Sequence, residues 1–252
     1  MPLPRRLLAA LAVLLSTVAT SACLPLELDA AGTLLPVPSS GPTSGALPPP
    51  APVGAALAAL PRLPIKGRAP KTGYHRTLFG PAWLDTDRNG CDTRNDVLRR
   101  DLTDDVIKAG THGCILLSGT LADPYTGRTI LFVRGQDTSN AVQIDHVVAL
   151  ADAWQKGAQQ WTAARRGSLA NDSLNLLAVD GPTNQRKGDG DAATWLPVRS
   201  DRCAYAARVV AVKAAYALWV TAAEHDALAG ILATCPNQLL PTREPFVLGP
   251  DS

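Results

Sequence analysis

The sequence predicts an α+β fold that is braced by disulfide bonds. Short runs rich in β-branched and other apolar residues, 114–121 and 128–133, flank a turn and predict strands. Long alanine-rich runs near the end of the chain, 203–220 and 221–234, carry apolar residues at helical spacing. Four cysteines lie in the same part of the chain, an even number that favours disulfide pairing in an exported protein.

The first residues have the features of an export signal. Two arginines precede an apolar run, 7–15, that is too short to span a bilayer as a mature helix, so residues 1–22 are assigned to a signal peptide. Small residues before Cys23 resemble the processing site of bacterial lipoproteins, which predicts a lipid anchor on Cys23. Plain secretion is the alternative, because Thr20 is not the aliphatic residue that this site prefers.

Residues 23–64 are predicted to hold the lipid-anchor site and a tether, followed by a single folded domain at 65–252. From residue 30 the stretch consists mostly of Pro, Gly, Ala, Ser and Leu, and it has no charge before Arg62. Such a composition favours extended, polyproline-like conformations and offers little surface to bury. The compact part of the domain is expected to end near Cys235.

The four remaining cysteines are expected to form two disulfides, although the sequence alone leaves three pairings open. We favour Cys91 with Cys114 and Cys203 with Cys235. Each pair brackets one local structural unit, and each bond would contribute about 3 to 4 kcal/mol in the chain-entropy model. Zinc is the rival interpretation, but no two cysteines have the spacing of a zinc knuckle.

The charge balance excludes a protein that attracts polyanions through its overall field. The whole chain has 24 Lys and Arg against 22 Asp and Glu, a formal net charge of +2. Two of the arginines belong to the signal peptide, which has no acidic residue, so the rest of the chain is neutral. Phosphate binding must therefore come from a local cluster of basic residues.

The segment 85–96 has the spacing of a Ca²⁺-binding loop. Its oxygen-bearing side chains at EF-hand offsets are Asp85, Asp87, Asn89 and Asp96. Two features argue against calcium: Asp92 stands where such loops have an apolar residue, and an Asp replaces the bidentate Glu at the end. The alternative is a polar turn in which Asp92 or Thr93 caps a helix at 94–102.

The next segments predict a small sheet with helical insertions. A turn at 123–127 joins the two strands described above into a hairpin. A third short strand is predicted at 141–144 and a further one at 174–179, and between them residues 150–170 have a helical pattern. A short helix at 184–187 follows the last strand.

Polar residues concentrate between 143 and 189. Asp145 and His146 end an apolar strand, where an unpaired carboxylate is costly unless a cation or hydrogen bonds compensate it. Asn175 lies in the next predicted strand and Asn184 on the short helix. An acid, a histidine and two amides in this order predict a site for one hard divalent cation and one general base.

Three segments carry a resemblance to a known family: Asp145-His146-Val147-Val148-Ala149-Leu150, Asn175-Leu176 and Asn184-Gln185-Arg186-Lys187-Gly188-Asp189. Together they resemble the HNH motif of the ββα-metal endonucleases. Segments 91–102, 123–127 and 191–197 more narrowly resemble exported bacterial HNH proteins related to the nuclease module of modification-dependent restriction enzymes. The likeness extends from about residue 73 to residue 235.

The resemblance implies a ββα-metal (HNH) core, supported by the β-hairpin and by a C-terminal helical hairpin. It implies that Asp145 and Asn184 hold one divalent metal, Mg²⁺ in the first place and Mn²⁺ as the alternative. It further implies that His146 is the general base and that Asn175 holds the His-bearing loop in place. Asn184 departs from the many HNH sites that have His at this position.

Arg186 and Lys187 are predicted to bind substrate phosphates, with Arg165, Arg166 and Arg199 as candidate neighbours. The expected function is a metal-dependent endonuclease that hydrolyses phosphodiester bonds in DNA, with RNA as a second candidate substrate. Low sequence selectivity is expected, because no recognition helix or zinc finger is evident. The alternative is a non-catalytic, metal-binding envelope protein on an HNH scaffold. A monomer is assumed, and membrane contact is expected through the lipid anchor only.

Overall fold

A computed structural model of the chain describes residues 54–243. The predicted signal peptide, Cys23 and the tether up to residue 53 lie outside the described residues, as do residues 244–252. Within the described range, no helix is both long enough and apolar enough to cross a membrane.

The described part of the chain mixes helices and strands, so the predicted α+β class is confirmed. The helices are α1 (Ala56–Ala59), α2 (Thr93–Asp101), α3 (Leu150–Gln155), α4 (Ala163–Ala170), α5 (Gly181–Lys187), α6 (Arg202–Tyr216) and α7 (Ala222–Ala233). The strands are β1 (Leu102–Ile107), β2 (Leu116–Ala122), β3 (Thr129–Val133), β4 (Val142–His146) and β5 (Leu176–Asp180).

The first sheet contains three antiparallel strands in the order β1, β2, β3. The predicted hairpin corresponds to β2 and β3, whereas β1 was not predicted from the sequence. Strand β1 lies at the edge of the sheet, and four of its consecutive residues, from Thr103 to Val106, are exposed. An edge strand with few buried residues shows no alternation of apolar and polar positions, which is the signal that predicts strands.

The second sheet consists of β4 and β5, which run antiparallel with Val142 opposite Asp180 and His146 opposite Leu176. Helix α5 follows β5 directly, whereas α3 and α4 lie between β4 and β5 in the chain. Ile144 and Leu176 belong to a small apolar core that α2 shares with both sheets. A larger core is formed mainly by α3, α4, α6 and α7. The polar end of β4 therefore lies between the smaller and the larger apolar core.

Both disulfides are present in the predicted pairing. Cys91–Cys114 links the turn before α2 to the segment before β2, and Cys203–Cys235 links the start of α6 to the end of α7. The disulfide therefore joins the two helices of the predicted C-terminal hairpin at the end that is opposite the connecting loop. Thr221 caps α7 as expected, since its side chain accepts a hydrogen bond from the Glu224 amide at 3.1 Å.

The folded part of the chain begins before residue 65, so the predicted tether boundary is wrong. Ala56, Leu60 and Leu63 are buried in the larger core, and α1 contacts both α6 and α7. The Ala56 amide also donates to the Gln238 carbonyl at 2.9 Å. A few alanines and leucines fill a groove that only the folded helices create, and a segment this short shows no helical period that would predict it.

Leu60→Ala is expected to lower the free energy of unfolding by about 2 to 5 kcal/mol, because it leaves a cavity in a closely packed core. Leu60 is only 1% exposed. Leu57→Ala, at a half-buried position of α1, is the matched control and should have a clearly smaller effect. Urea denaturation of the full chain measures both. Equal effects would mean that this segment does not dock as the structure describes.

Candidate active site

His146 ends β4 and is buried with one nitrogen fixed. Its Nε2 lies 2.9 Å from the carbonyl oxygen of Ala170. A carbonyl only accepts hydrogen bonds, so Nε2 carries the proton and Nδ1 keeps a free lone pair. Burial is the main cause that lowers the pKa of His146 to about 4. The ring is therefore neutral at physiological pH and can accept a proton at Nδ1.

His146 lines a pocket of about 250 Å³ that opens in front of β4. The other lining residues come from the segment before α2 and from α3 and α4: Arg76, Thr77, Phe79, Gly80, Pro81, Ala82, Trp83, Leu150 and Ala170. The ring of Trp83 lies nearly parallel to that of His146, with 6.4 Å between centroids and 12° between planes. Arg76 and Trp83 were not predicted from the sequence, since no local pattern marks two residues so far from the motif.

Asp145 precedes His146 and, by the alternation of a strand, points to the other face of β4. Its Oδ2 accepts a hydrogen bond from the Tyr125 hydroxyl and lies 2.8 Å from Lys187 Nζ. Both contacts use Oδ2, so within the described residues Oδ1 has no hydrogen bond. Burial, followed by the Asp145 carboxylate, raises the pKa of Tyr125 well above its ordinary value, which keeps the phenol protonated as a donor.

Lys187 does not face solvent, and its placement contradicts the predicted contact with substrate phosphates. Its side chain is buried, and Nζ donates to the His146 carbonyl at 2.9 Å as well as approaching Asp145. The ammonium thus compensates the buried carboxylate and fastens α5 to the end of β4. Arg186, by contrast, is exposed, and its Nη2 donates to Thr183 Oγ1 at 2.6 Å.

Of the three predicted basic neighbours, two bind backbone carbonyls of the protein itself and one is exposed. Arg165 donates to the Tyr216 carbonyl at 2.7 Å, and Arg166 donates to the carbonyls of Leu78 and Trp161. These two side chains hold backbone together rather than present charge to a ligand. Arg199 is exposed.

Asn175 is fully buried and bridges the loop after His146 to α4. Its Oδ1 accepts from the Val148 amide at 2.8 Å. Its Nδ2 donates to the carbonyls of Val148 and Leu169, at 3.3 and 3.4 Å. These contacts connect the loop after His146 to α4, and they satisfy backbone groups that are buried away from water.

Asn184 lies on α5, where its Nδ2 donates to Gln143 Oε1 at 3.0 Å. Its carbonyl oxygen is therefore the group left to meet a cation. Gln143 and Asp145 are two residues apart on β4 and so share a face. A carboxylate oxygen and an amide oxygen suit Mg²⁺, which keeps several waters and needs few protein ligands. Among residues 54–243, no group of three or more His, Cys, Asp or Glu side chains is arranged to hold a metal ion.

The segment predicted as a candidate Ca²⁺ loop forms a polar turn. Asp92 caps α2 by accepting a hydrogen bond from the Asn95 amide at 2.9 Å, as the alternative interpretation predicts. Asn89 turns its amide nitrogen to Asp87 and Asp96, at 3.1 Å from each, whereas a calcium ligand would present its oxygen. Burial is the main cause that raises the pKa of Asp96 to about 6.

Comparisons with known proteins place these features in a family. Residues 92–231, more than half of the chain, match the family described as "GmrSD restriction endonucleases, C-terminal domain". A fungal protein of Arthroderma benhamiae, described as "Uncharacterized secreted protein", is 39% identical over 206 residues. That alignment covers 81% of this chain and 94% of the relative, so the predicted likeness is not confined to bacterial proteins. No solved structure matches the chain.

Proposed function

Because the chain belongs to the family of GmrSD restriction endonuclease C-terminal domains, we propose that it is a metal-dependent endonuclease of the HNH type that hydrolyses phosphodiester bonds in DNA. Membership of this family suggests a nuclease and hence a nucleic acid substrate. RNA is the second candidate substrate. The observation that carries the proposal is the neutral His146, fixed through Nε2 at the wall of an open pocket and directly after a compensated acid.

In this mechanism His146 accepts one proton, and Ala170 and Asn175 fix the ring and the loop that follows it. Nδ1 of His146 takes a proton from the attacking water, while the Ala170 carbonyl keeps the ring in the required tautomer. Asn175 prevents the loop after His146 from moving, because its side chain bonds both the amide and the carbonyl of Val148. General-base catalysis of this kind contributes about 10²- to 10⁴-fold.

Asp145 and Asn184 are the residues proposed to hold the divalent metal, through the oxygens that the structure leaves without a hydrogen bond among residues 54–243. When bound, the cation supplies electrostatic stabilisation of the charge that develops on the phosphate and the leaving oxygen. Tyr125 and Lys187 both contact Oδ2 of Asp145, which fixes the orientation of the carboxylate.

The test is cleavage of supercoiled plasmid DNA by the purified full chain. We expect nicking with Mg²⁺ or Mn²⁺ and loss of nicking when EDTA removes the metal. Asp145→Asn should strongly reduce metal-dependent nicking, whereas the matched control Asp137→Asn, at an exposed position, should not. If the wild-type chain binds Mg²⁺ in calorimetry but never cuts DNA or RNA, the protein is instead a non-catalytic metal-binding protein on the same scaffold.

We also propose that the protein is exported. Two disulfides support this, because disulfides persist in oxidising compartments, and so does the relative that is described as secreted. The lipid anchor at Cys23 stays a prediction. Cys23→Ala should move the protein from the membrane fraction to the soluble fraction, and an unchanged distribution would mean ordinary secretion.

A further inference from the structure

We propose that Arg76 and Trp83 form a nucleotide subsite beside His146, which takes one unstacked nucleotide with its base on Trp83 and its phosphate at Arg76. The inference rests on the proposed nuclease function and deepens it by naming the preferred substrate as nucleic acid with unstacked bases. Both residues line the same pocket as His146. Neither belongs to the motif that resembles HNH endonucleases.

Arg76 has a guanidinium that is available to a ligand. The residue is exposed, and within residues 54–243 no hydrogen bond or ion pair engages its side chain. Arg76 and His146 line the same pocket, so a phosphate bound there can meet both groups. A planar, permanently charged guanidinium is suited to phosphate oxygens. Arg76 can therefore replace Lys187, which is buried, as a phosphate contact near His146.

Trp83 is a half-buried indole held on a defined backbone. Its φ of 60° lies in the left-handed region, which non-glycine residues adopt at a cost and which occurs often at functional sites. The next residue, Leu84, is fixed on both sides: its amide donates to Asn171 Oδ1 at 3.0 Å, and its carbonyl accepts from the Thr93 amide at 3.3 Å. The ring packs against the smaller core and also lines the pocket beside His146.

The size and lining of the pocket indicate what the subsite takes. A volume of about 250 Å³ is below the range of roughly 300 to 1,000 Å³ typical of sites for drug-sized ligands, so it suits one base and not a duplex. Phe79, Pro81 and Leu150 give it apolar walls that match the flat face of a base. Bases inside a duplex are stacked on each other, so a nucleotide must be single-stranded or extruded to enter.

The test measures binding of a fluorescein-labelled single-stranded DNA oligonucleotide to the full chain by fluorescence anisotropy, with EDTA present to prevent cleavage. Trp83→Ala should weaken binding by about 5- to 150-fold, and Trp83→Phe should retain most of the affinity because a ring remains. Arg76→Ala should weaken binding and reduce the slope of log affinity against log salt by roughly 0.7, the loss of one phosphate contact. Arg76→Lys should keep the slope. Arg62→Ala, exposed and outside the pocket, is the matched control.

A second measurement tests the subsite without Trp83→Ala, in case that variant does not fold. The oligonucleotide should quench part of the tryptophan fluorescence of the wild-type chain, and Trp83→Phe should lose this quenching. The subsite is overturned if Trp83→Phe quenches like wild type, if Arg76→Ala binds like wild type, if the duplex of the same sequence binds more tightly than the single strand, or if the wild-type chain does not bind.

The outcomes separate the two proposals. If the wild type binds the oligonucleotide through Arg76 and Trp83 but never nicks plasmid with Mg²⁺, the subsite stands and the nuclease proposal fails. If the wild type nicks plasmid while Trp83→Ala and Arg76→Ala bind and cut like wild type, the nuclease proposal stands and the subsite is wrong.

Discussion

His146→Ala is expected to lower the rate of plasmid cleavage by about 10²- to 10⁴-fold, the usual contribution of a general base. The substitution removes the ring whose Nδ1 is available while Nε2 is held by Ala170. The matched control is His225→Ala, because the only hydrogen bond of the His225 side chain within residues 54–243 is to the neighbouring Asp226. Initial rates of nicking at saturating Mg²⁺ measure the effect. Cleavage by His146→Ala at the wild-type rate would exclude the proposed mechanism.

The pKa of His146 also determines the pH at which the cleavage rate should fall on the acid side. Burial lowers the pKa of His146 to about 4, and only the unprotonated ring can take a proton. Cleavage should therefore persist as the pH falls from 7 to about 5, and it should decline only near pH 4, whereas an ordinary histidine near pKa 6.5 would lose activity earlier. A decline centred near 6.5 would show that the ring is not held as the structure describes.

Lys156→Met is expected to lower the free energy of unfolding by about 3 to 5 kcal/mol, because it removes a buried cation that contacts three buried carboxylates and leaves their negative charge less compensated. Lys156 is completely buried, and its Nζ lies 2.6 Å from Asp152, 2.8 Å from Asp191 and 2.6 Å from Glu224. Lys213, also buried, lies 2.7 Å from Glu224. These side chains join α3, α6 and α7 through one ion cluster in the interior.

The control is Lys71→Met, which breaks the ion pair with Asp189 at the surface, where both side chains are about half exposed. Exposed pairs contribute about 0 to 1 kcal/mol, so this change should be small. Urea denaturation at neutral pH compares the two variants. A loss from Lys156→Met no larger than that from Lys71→Met would mean that water reaches the cluster.

Acid should also weaken this cluster. Burial alone raises the pKa of Asp152 and Asp191, but the cations beside them outweigh it, so both pKa values are lowered in the folded chain. A lowered carboxyl pKa stabilises the protein above the unfolded value of about 3.9 and ceases to do so as the pH falls through the folded value. We therefore expect the unfolding free energy to fall below about pH 4, and to fall less steeply in Lys156→Met.

Much of the fold could be predicted from local sequence. Short stretches of sequence are enough to predict the helices α6 and α7, the turn that joins β2 to β3 and the pairing of the cysteines that bracket each unit. The structure contains all three features. The edge strand β1 could not be predicted, because its residues are mostly exposed and lack a buried face. The short helix α1 could not be predicted either, because its burial depends on a groove between distant helices.

The sequence by itself determined which groups stand near the end of β4: an acid, a histidine and the Asn175 that holds the following loop, since their spacing on strands and loops follows from backbone geometry. Only the tertiary structure decided what those groups face. The packing of α5 on β4 turned Lys187 inward onto Asp145. The segment before α2 brought Arg76 and Trp83 to His146. Burial and long-range contact belong to the folded chain as a whole, and no local pattern of residues records them.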